Sequence, residues 1–202
     1  MTITAIKAQV KNPDRVSVYI DQAYAFSLSY NQLLDQKIHA GLQIDQTRVD
    51  ELKRVSDLGK MYERSLMFAM LRPRSQKELR DYFRRKKWDA ADAEHILQKL
   101  VAKGYVNDVS FARSWVQNRA INKKMSKRKL VLELKQKGIS EEVIRGALDG
   151  SDFNESTALS ELITKKRKLA KYQDQQKLMQ YLARQGFGFD DIKQALQDSN
   201  LD

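Results

Sequence analysis

The chain has 202 residues, with 37 Lys and Arg against 26 Asp and Glu, which gives a formal net charge of +11. Hydrophobic residues make up 42% and charged residues 31%, with 2 Pro, 8 Gly, 2 His and no Cys. This composition is typical of a folded, helix-rich protein, and it excludes disulfides, thiolate zinc sites and cysteine nucleophiles. We find no signal peptide and no apolar run of the roughly 18 residues that a membrane span needs. We therefore expect a cytoplasmic protein that binds a polyanion and has no membrane partner. The absence of Cys and the scarcity of His argue against most enzyme chemistries.

The first thirty residues alternate apolar and polar side chains, which is the period of a β-strand with one buried face. The alternation covers residues 3–10, 16–20 and 24–28. Turn-forming residues at 12–15 separate the first two runs, and the pair at 21–22 is a two-residue connection to the third. The pattern predicts a small three-stranded antiparallel meander.

The remainder of the chain has helical periodicity. A short helix is predicted at residues 30–37, and Asp45 is a helix-capping residue before the next apolar period. Gly59 is expected to interrupt that helix before a further helix at residues 62–71. Pro73 then ends the helical run, because proline lacks the amide donor that a helix interior needs.

One apolar pattern occurs three times, at offsets of 51 and 99 residues. Each copy begins with a helix-capping residue, continues as a short helix, turns, and forms a second short helix. A further helical stretch precedes each copy, at residues 62–71, 109–121 and 156–169. The members are Ser75, Leu79, Phe83, Trp88, Ala93, Ile96 and Leu97 in the first copy, Ser126, Leu130, Leu134, Ile139, Ile144, Ala147 and Leu148 in the second, and Asp174, Leu178, Leu182, Phe187, Ile192, Ala195 and Leu196 in the third.

These copies predict a mainly α fold, with three tandem three-helix units that form an elongated, curved array behind a small antiparallel β meander. We expect an N-terminal β extension with short helices at residues 1–56. The first, second and third three-helix units are predicted at residues 57–107, 108–150 and 151–202.

The turn inside each copy needs a residue with left-handed backbone geometry. Gly138 and Gly186 adopt that geometry without the steric cost of a Cβ atom. Lys87 occupies the same place in the first copy. The next residue is large and apolar each time. Two interpretations of Trp88 stay open, base stacking and core packing, and its counterparts Ile139 and Phe187 favour the core.

Several short motifs stand in a fixed order along the chain. They are Arg74-Ser75-Gln76-Lys77-Glu78-Leu79, Lys103-Gly104-Tyr105-Val106-Asn107-Asp108, Phe111-Ala112-Arg113-Ser114-Trp115 and Glu133-Leu134-Lys135-Gln136-Lys137-Gly138-Ile139, preceded by Val18-Tyr19-Ile20-Asp21 and Ala25-Phe26-Ser27-Leu28. Together they resemble the RecX family of bacterial recombination regulators, over essentially the whole chain. The N-terminal motifs resemble the β extension that some members carry.

The resemblance implies a regulatory protein that binds RecA filaments on DNA and modulates, mostly by inhibition, their strand exchange, ATP turnover and coprotease activity. It places the chain in DNA repair, DNA recombination and the SOS response. It also implies a monomer that is not an enzyme and needs no cofactor. Contact with single-stranded or duplex DNA would be weak and electrostatic. Whether a given member inhibits or stimulates stays open, as does the role of the N-terminal strands.

The positive charge is central. Residues 57–107 and 108–150 each carry a net charge of +5, the first 56 residues carry +1 and the last 52 carry none. The densest runs lie at a helix end and at a helix start. Cations at a helix end have an ordinary structural role, whereas cations at a helix start oppose the helix dipole, which favours contact with phosphate. The predicted DNA- or filament-binding residues are Arg84, Arg85, Lys86, Lys87, Lys123, Lys124, Lys127, Arg128 and Lys129.

Two other classes of function are weaker. A helical-repeat DNA-binding regulator would insert the second helix of a copy into the major groove. The residues at those helix starts are Ser140-Glu141-Glu142 and Asp190-Asp191, which repel phosphates. An enzyme would need a catalytic constellation or a metal cluster, and the acidic residues are dispersed. We therefore predict no catalytic, cofactor-binding or metal-binding residue.

Overall fold

The computed structural model describes residues 1–122 and 125–198. In that part of the chain it contains one three-stranded sheet and ten α-helices, which confirms the predicted mainly α fold with a small N-terminal antiparallel sheet. The chain divides into two compact units. The first unit comprises Met1–Arg72 and Phe83–Tyr105, and the second comprises Pro73–Tyr82 and Val106–Asp202.

The sheet has the strand order β1-β2-β3, with both neighbouring pairs antiparallel. Asp21 and Gln22 connect β2 to β3 with φ angles of +46° and +69°, the left-handed pair of a two-residue hairpin. The first run of alternation is shorter than predicted, because β1 ends two residues before Val10, which is fully exposed. The strands are β1 (Ile3–Ala8), β2 (Arg15–Ile20) and β3 (Ala23–Ser29).

Helix α1 (Tyr30–Asp35) and helix α2 (Gln46–Met70) follow the sheet. Asp45 caps α2 as predicted and accepts a hydrogen bond from the Arg48 amide at 2.8 Å. The predicted interruption at Gly59 is wrong, because α2 is continuous over 25 residues. The boundary expected after residue 56 therefore lies inside this helix, and the unit boundaries stay predictions.

Gly59 has a packing role instead. A Cβ atom at this position would collide with the side-chain amide of Gln32 on α1. That amide donates a hydrogen bond to the Val55 carbonyl of α2 at 2.7 Å. A glycine inside a helix costs only about 1 kcal/mol relative to alanine. The close approach of α1 offsets that cost, so the helix does not break.

The apolar face of the sheet packs against α2 and forms the core of the first unit, together with Ile38, Val49 and Leu52. A buried arginine stands at the start of β2. Arg15 is 3% exposed, donates to the Ser27 carbonyl at 2.7 Å and forms an ion pair with Glu63 of α2 at 2.6 Å. Its charge is thus compensated, as a buried charge requires.

The other helices have short connections. Helix α3 starts in the second unit and ends in the first, and α4 belongs to the first unit. They are α3 (Gln76–Arg85), α4 (Ala90–Ala102), α5 (Asp108–Asn122), α6 (Lys127–Gln136), α7 (Glu141–Asp149), α8 (Glu155–Arg167), α9 (Gln175–Arg184) and α10 (Phe189–Asp198), with a 3₁₀ turn at Ala170–Tyr172.

The repeated apolar positions form the cores of the helical copies. The six apolar members predicted for the second copy lie in one buried cluster with residues of α5. The third copy forms a second cluster with residues of α8, against which Ala195 packs half-buried. In the first copy the apolar members are buried except for Trp88, which is half-buried.

The turn geometry also follows the prediction. The left-handed residues Lys87, Gly138 and Gly186 have φ angles of +56°, +78° and +92°. In each copy the next amide donates to a carbonyl in the last turn of the preceding helix, at 3.1 Å from Ile139 and 3.4 Å from Phe187. The first copy therefore adopts the same turn without glycine.

Candidate functional site

The first basic cluster comprises Arg84, Arg85, Lys86 and Lys87, at the C-terminal end of α3. All four residues are exposed. The partial negative charge of a helix C-terminus stabilises cations there, so the helix accounts for part of this concentration of charge. The four neighbouring side chains nevertheless form a surface suited to an anionic partner.

Trp88 follows the first basic cluster but takes part in packing. Its ring stacks on Phe83 with centroids 5.3 Å apart and an interplanar angle of 24°. Its backbone amide donates to the Phe83 carbonyl at 3.3 Å. These contacts fix the ring against the turn, which favours the core interpretation over base stacking.

The second basic cluster comprises Lys127, Arg128 and Lys129, at the N-terminal end of α6. Lys123 and Lys124, predicted to belong with them, lie outside the described residues. Lys127 and Arg128 are exposed, whereas Lys129 is half-buried. The structure thus divides the predicted run into two outward-facing cations and one that is partly enclosed.

Lys129 has a structural contact that the sequence analysis missed. Its Nζ donates a hydrogen bond to Oε1 of Gln185 at 2.6 Å. The Lys127 amide donates to a carboxylate oxygen of Glu155 at 3.0 Å, which places negative charge at the positive end of α6. Lys129 therefore has a long-range structural contact that its position at a helix start did not indicate.

A repeated joint connects consecutive helical copies inside the second unit, and buried serine hydroxyls form its centre. Ser126 Oγ donates to the Gln185 carbonyl at 2.8 Å while accepting the Lys129 amide at 3.1 Å. Ser75 Oγ does the same with the Lys137 carbonyl at 2.7 Å and the Glu78 amide at 3.2 Å. Each serine therefore caps its own helix and binds the helix end of the next copy.

Carboxylates at the next helix start complete each joint. The Gln76 amide donates to Asp108 Oδ1 at 2.9 Å, which matches the contact between Lys127 and Glu155. Burial raises the pKa of the Asp108 carboxyl, against the lowering effects of the Gln76 amide and of Arg80. In the first joint Lys137 also forms an ion pair with Glu78 at 2.8 Å. At the corresponding place in the second joint, Lys129 donates to the neutral side chain of Gln185.

The sequence contained a partial signal for this joint. The capping residue is serine in the two copies that precede another copy and Asp174 in the third. A carboxylate caps a helix but cannot donate to a carbonyl. Gly138 and Gly186 carry the matching signal, because a Cβ atom at position 138 would lie 2.7 Å from Cβ of Lys77 and one at position 186 would collide with Ser126.

Two further cationic side chains of the second copy lie over the ring of Trp115. Its indole N–H donates to Glu133 at 3.0 Å, and Arg119 Nε donates to the same carboxylate at 2.8 Å. The Arg119 guanidinium and the Lys137 ammonium lie 4.3 and 5.3 Å from the indole ring centre. Arg119 is paired with Glu133 and Lys137 with Glu78. These two cations therefore stabilise the fold and contribute less to any anion-binding surface.

The described part of the chain contains no group of three or more His, Cys, Asp or Glu side chains placed to hold a metal. No helix in the same part of the chain is long and apolar enough to cross a bilayer. His95 is exposed, and His39 has its Nδ1 at 3.0 Å from the adjacent Ala40 carbonyl. Repeated helical units with exposed cationic clusters place the chain in the class of helical-repeat proteins.

Comparison with known proteins identifies the family. The model of the regulatory protein RecX N-terminal domain matches residues 1–45, and the first, second and third RecX three-helix domains match residues 62–100, 107–148 and 155–196. The regulatory protein RecX of Bacillus licheniformis is 30% identical over 205 residues, which cover 99% of this chain and 78% of that protein. The one from Bacillus subtilis is 29% identical over 199 residues, covering 96% and 75%. The chain belongs to the RecX family.

Two solved structures have the same fold. A crystal structure of regulatory protein RecX superposes with a TM-score of 0.78 at 23% identity, covering 97% of this chain and 98% of that one. A crystal structure of RecX from Lactobacillus salivarius gives a TM-score of 0.61 at 24% identity, covering 72% and 98%. At these identities the similarities show the fold alone.

Proposed function

We propose that this chain binds RecA filaments on DNA and lowers their recombinase, ATPase and coprotease activity, acting as a monomeric cytoplasmic regulator and not as an enzyme. The observation that carries the proposal is membership of a family of regulatory proteins over nearly the full chain. The exposed cations supply a physical means of attachment, because a DNA-bound filament is a dense polyanion.

The proposed contact residues are the first basic cluster and the two exposed members of the second. Lys127 and Arg128 are exposed and Lys129 is engaged by Gln185, so we assign filament contact to the first two and joint stability to the third. Lys123 and Lys124 remain in the proposal on sequence grounds alone. Several weak charge contacts on repeated units would add up to firm binding by avidity.

Direct action on DNA as a helix-turn-helix regulator is less well supported. The second helix of the second copy, α7, starts with exposed Glu141 and Glu142, and that of the third copy, α10, starts with exposed Asp190 and Asp191. Carboxylates stabilise a helix N-terminus, but they repel the phosphates that flank a major groove. A recognition helix would need the opposite charge at this end.

The test is RecA-catalysed strand exchange with stoichiometric chain, together with binding to assembled filaments. We expect suppressed exchange, and roughly tenfold weaker binding at low salt for the pair Lys127→Glu and Arg128→Glu. Lys165→Glu with Lys168→Glu is the matched control. It makes the same charge change on exposed residues of the predicted third three-helix unit, residues 151–202, which has no net charge. Unchanged strand exchange at saturating wild-type chain would refute the proposal.

A further inference from the structure

An apolar groove lies between α6 and α7 in the second copy, with a volume of about 250 Å³. Its floor is aliphatic and consists of Val131, which is half-buried, and the buried Ile144 and Leu148. We propose that this groove binds one large apolar side chain of a protein partner, flanked in that partner by carboxylates. The inference rests on the proposed function and assigns to this groove a contact with the protein of the filament.

The size of the groove favours a single side chain. Sites for metabolites and other small molecules are typically about 300–1,000 Å³ and enclose most of the ligand. This groove is smaller and open to solvent along α6 and α7. A leucine or phenylalanine side chain fits such a volume and would remove from water the aliphatic surface that remains exposed, mainly that of Val131. Burial of apolar surface is the usual driving force for a central interface contact.

The rim supplies the charge that selects the neighbours of that side chain. Lys127 and Arg145 are exposed on it, and Lys135 forms an ion pair with Glu141 across it. Asp149 also lies on the rim, so three cations face two carboxylates and the balance is positive. Carboxylates beside the inserted side chain would gain from Lys127 and Arg145.

The aliphatic floor argues against nucleic acid as the occupant. Bases of single-stranded nucleic acid stack mainly on aromatic side chains, and among the described residues that line the groove none is aromatic. Phosphates need cations but gain nothing from valine, isoleucine and leucine. The basic rim taken alone fits both partners, and the floor decides for protein.

The other copies do not carry this combination of side chains. The position of Val131 is Arg80 in the first copy and Met179 in the third. The position of Glu141 is Phe189 in the third copy, and the Lys193 ammonium lies 4.8 Å from that ring. The second copy alone pairs a valine floor with a lysine and arginine rim, so we expect the contact there.

The substitution Val131→Arg tests the groove, because it installs the residue that the first copy carries at this position. We expect filament binding to weaken about tenfold or more, since the side chain fills the groove and the buried apolar contact is lost. Binding to naked single-stranded DNA should stay equal or tighten, because the substitution adds positive charge. Leu132→Arg is the matched control, since it adds the same charge at an exposed position of the same helix.

Titrations use RecA filaments on a single-stranded oligonucleotide, the naked oligonucleotide, and the chain alone in sedimentation velocity, with circular dichroism to confirm the fold. Equal filament affinities for the two arginine variants would overturn the inference. A matching loss on naked DNA would make nucleic acid the occupant, and concentration-dependent association abolished by Val131→Arg would make it a second copy; both outcomes contradict the proposal. Failure of the wild-type chain to bind filaments would refute the proposed function instead.

Discussion

Replacing Ser126 by alanine removes one oxygen that makes two buried contacts. The hydroxyl accepts the Lys129 amide at 3.1 Å and donates to the Gln185 carbonyl at 2.8 Å, and the residue is fully buried. Loss of a helix-capping serine costs about 1 kcal/mol. The Gln185 carbonyl belongs to a half-buried residue, and leaving it without its donor costs a further 1–3 kcal/mol, roughly. We therefore expect Ser126→Ala to lower the free energy of unfolding by about 3 kcal/mol.

Ser140→Ala separates the two contributions. Ser140 caps α7 through the Val143 amide, is exposed, and among the described residues its side chain makes no hydrogen bond to another copy. Its loss should therefore cost about 1 kcal/mol. Urea denaturation followed by circular dichroism measures both variants, and amide hydrogen exchange in α9 reports whether the third copy opens first. Equal losses for the two variants would show that the joint contributes no stability and would refute the reasoning about repeated joints.

The remaining predictions concern backbone geometry, buried charge and pH. Gly138→Ala should lower the free energy of unfolding by more than about 1 kcal/mol, because φ is +78° and a Cβ atom there would meet Lys77 of α3. Lys87→Gly should raise the free energy of unfolding by up to about 1 kcal/mol in the same urea assay, because Lys87 has a φ of +56°. Glu63→Gln should cost about 2 kcal/mol by leaving the buried Arg15 charge less compensated, and a loss below about 0.5 kcal/mol would contradict this. The pKa of Asp108 is raised, so the wild-type loses stability as pH rises from the usual aspartate value through the raised one. Asp108→Asn should therefore gain stability relative to the wild type at neutral pH and lose that advantage below about pH 4; a deficit that grows toward neutral pH would contradict the assignment.

The helical copies were predictable because their signals are local and periodic. Leu130 and Leu134 lie one helical turn apart, and Gly138 follows at the position where the chain must turn, so spacing alone indicates a buried face and its end. The same locality explains the error at Gly59. A glycine signals flexibility in sequence, but its role there is set by Gln32, which lies 27 positions earlier in the chain.

The long-range partners in the joint and the role of Lys129 could not be predicted from the sequence for the same reason. The Ser126 hydroxyl has a local partner three residues away, which predicts a cap, and a second partner 59 residues away, which only the fold reveals. In the sequence Lys129 is one cation of a basic run, and only the structure shows its hydrogen bond to Gln185. Charge density thus indicated a candidate region, while the division between structural and exposed cations required the fold.

Regulation of the recombinase filament is tested most directly by RecA-catalysed ATP hydrolysis on single-stranded DNA, titrated with this chain. We predict a saturable fall in the rate as the chain approaches stoichiometric amounts. The variant with Lys127→Glu and Arg128→Glu should need roughly tenfold more protein for the same fall. An unchanged rate at saturating wild-type chain would contradict the proposed function.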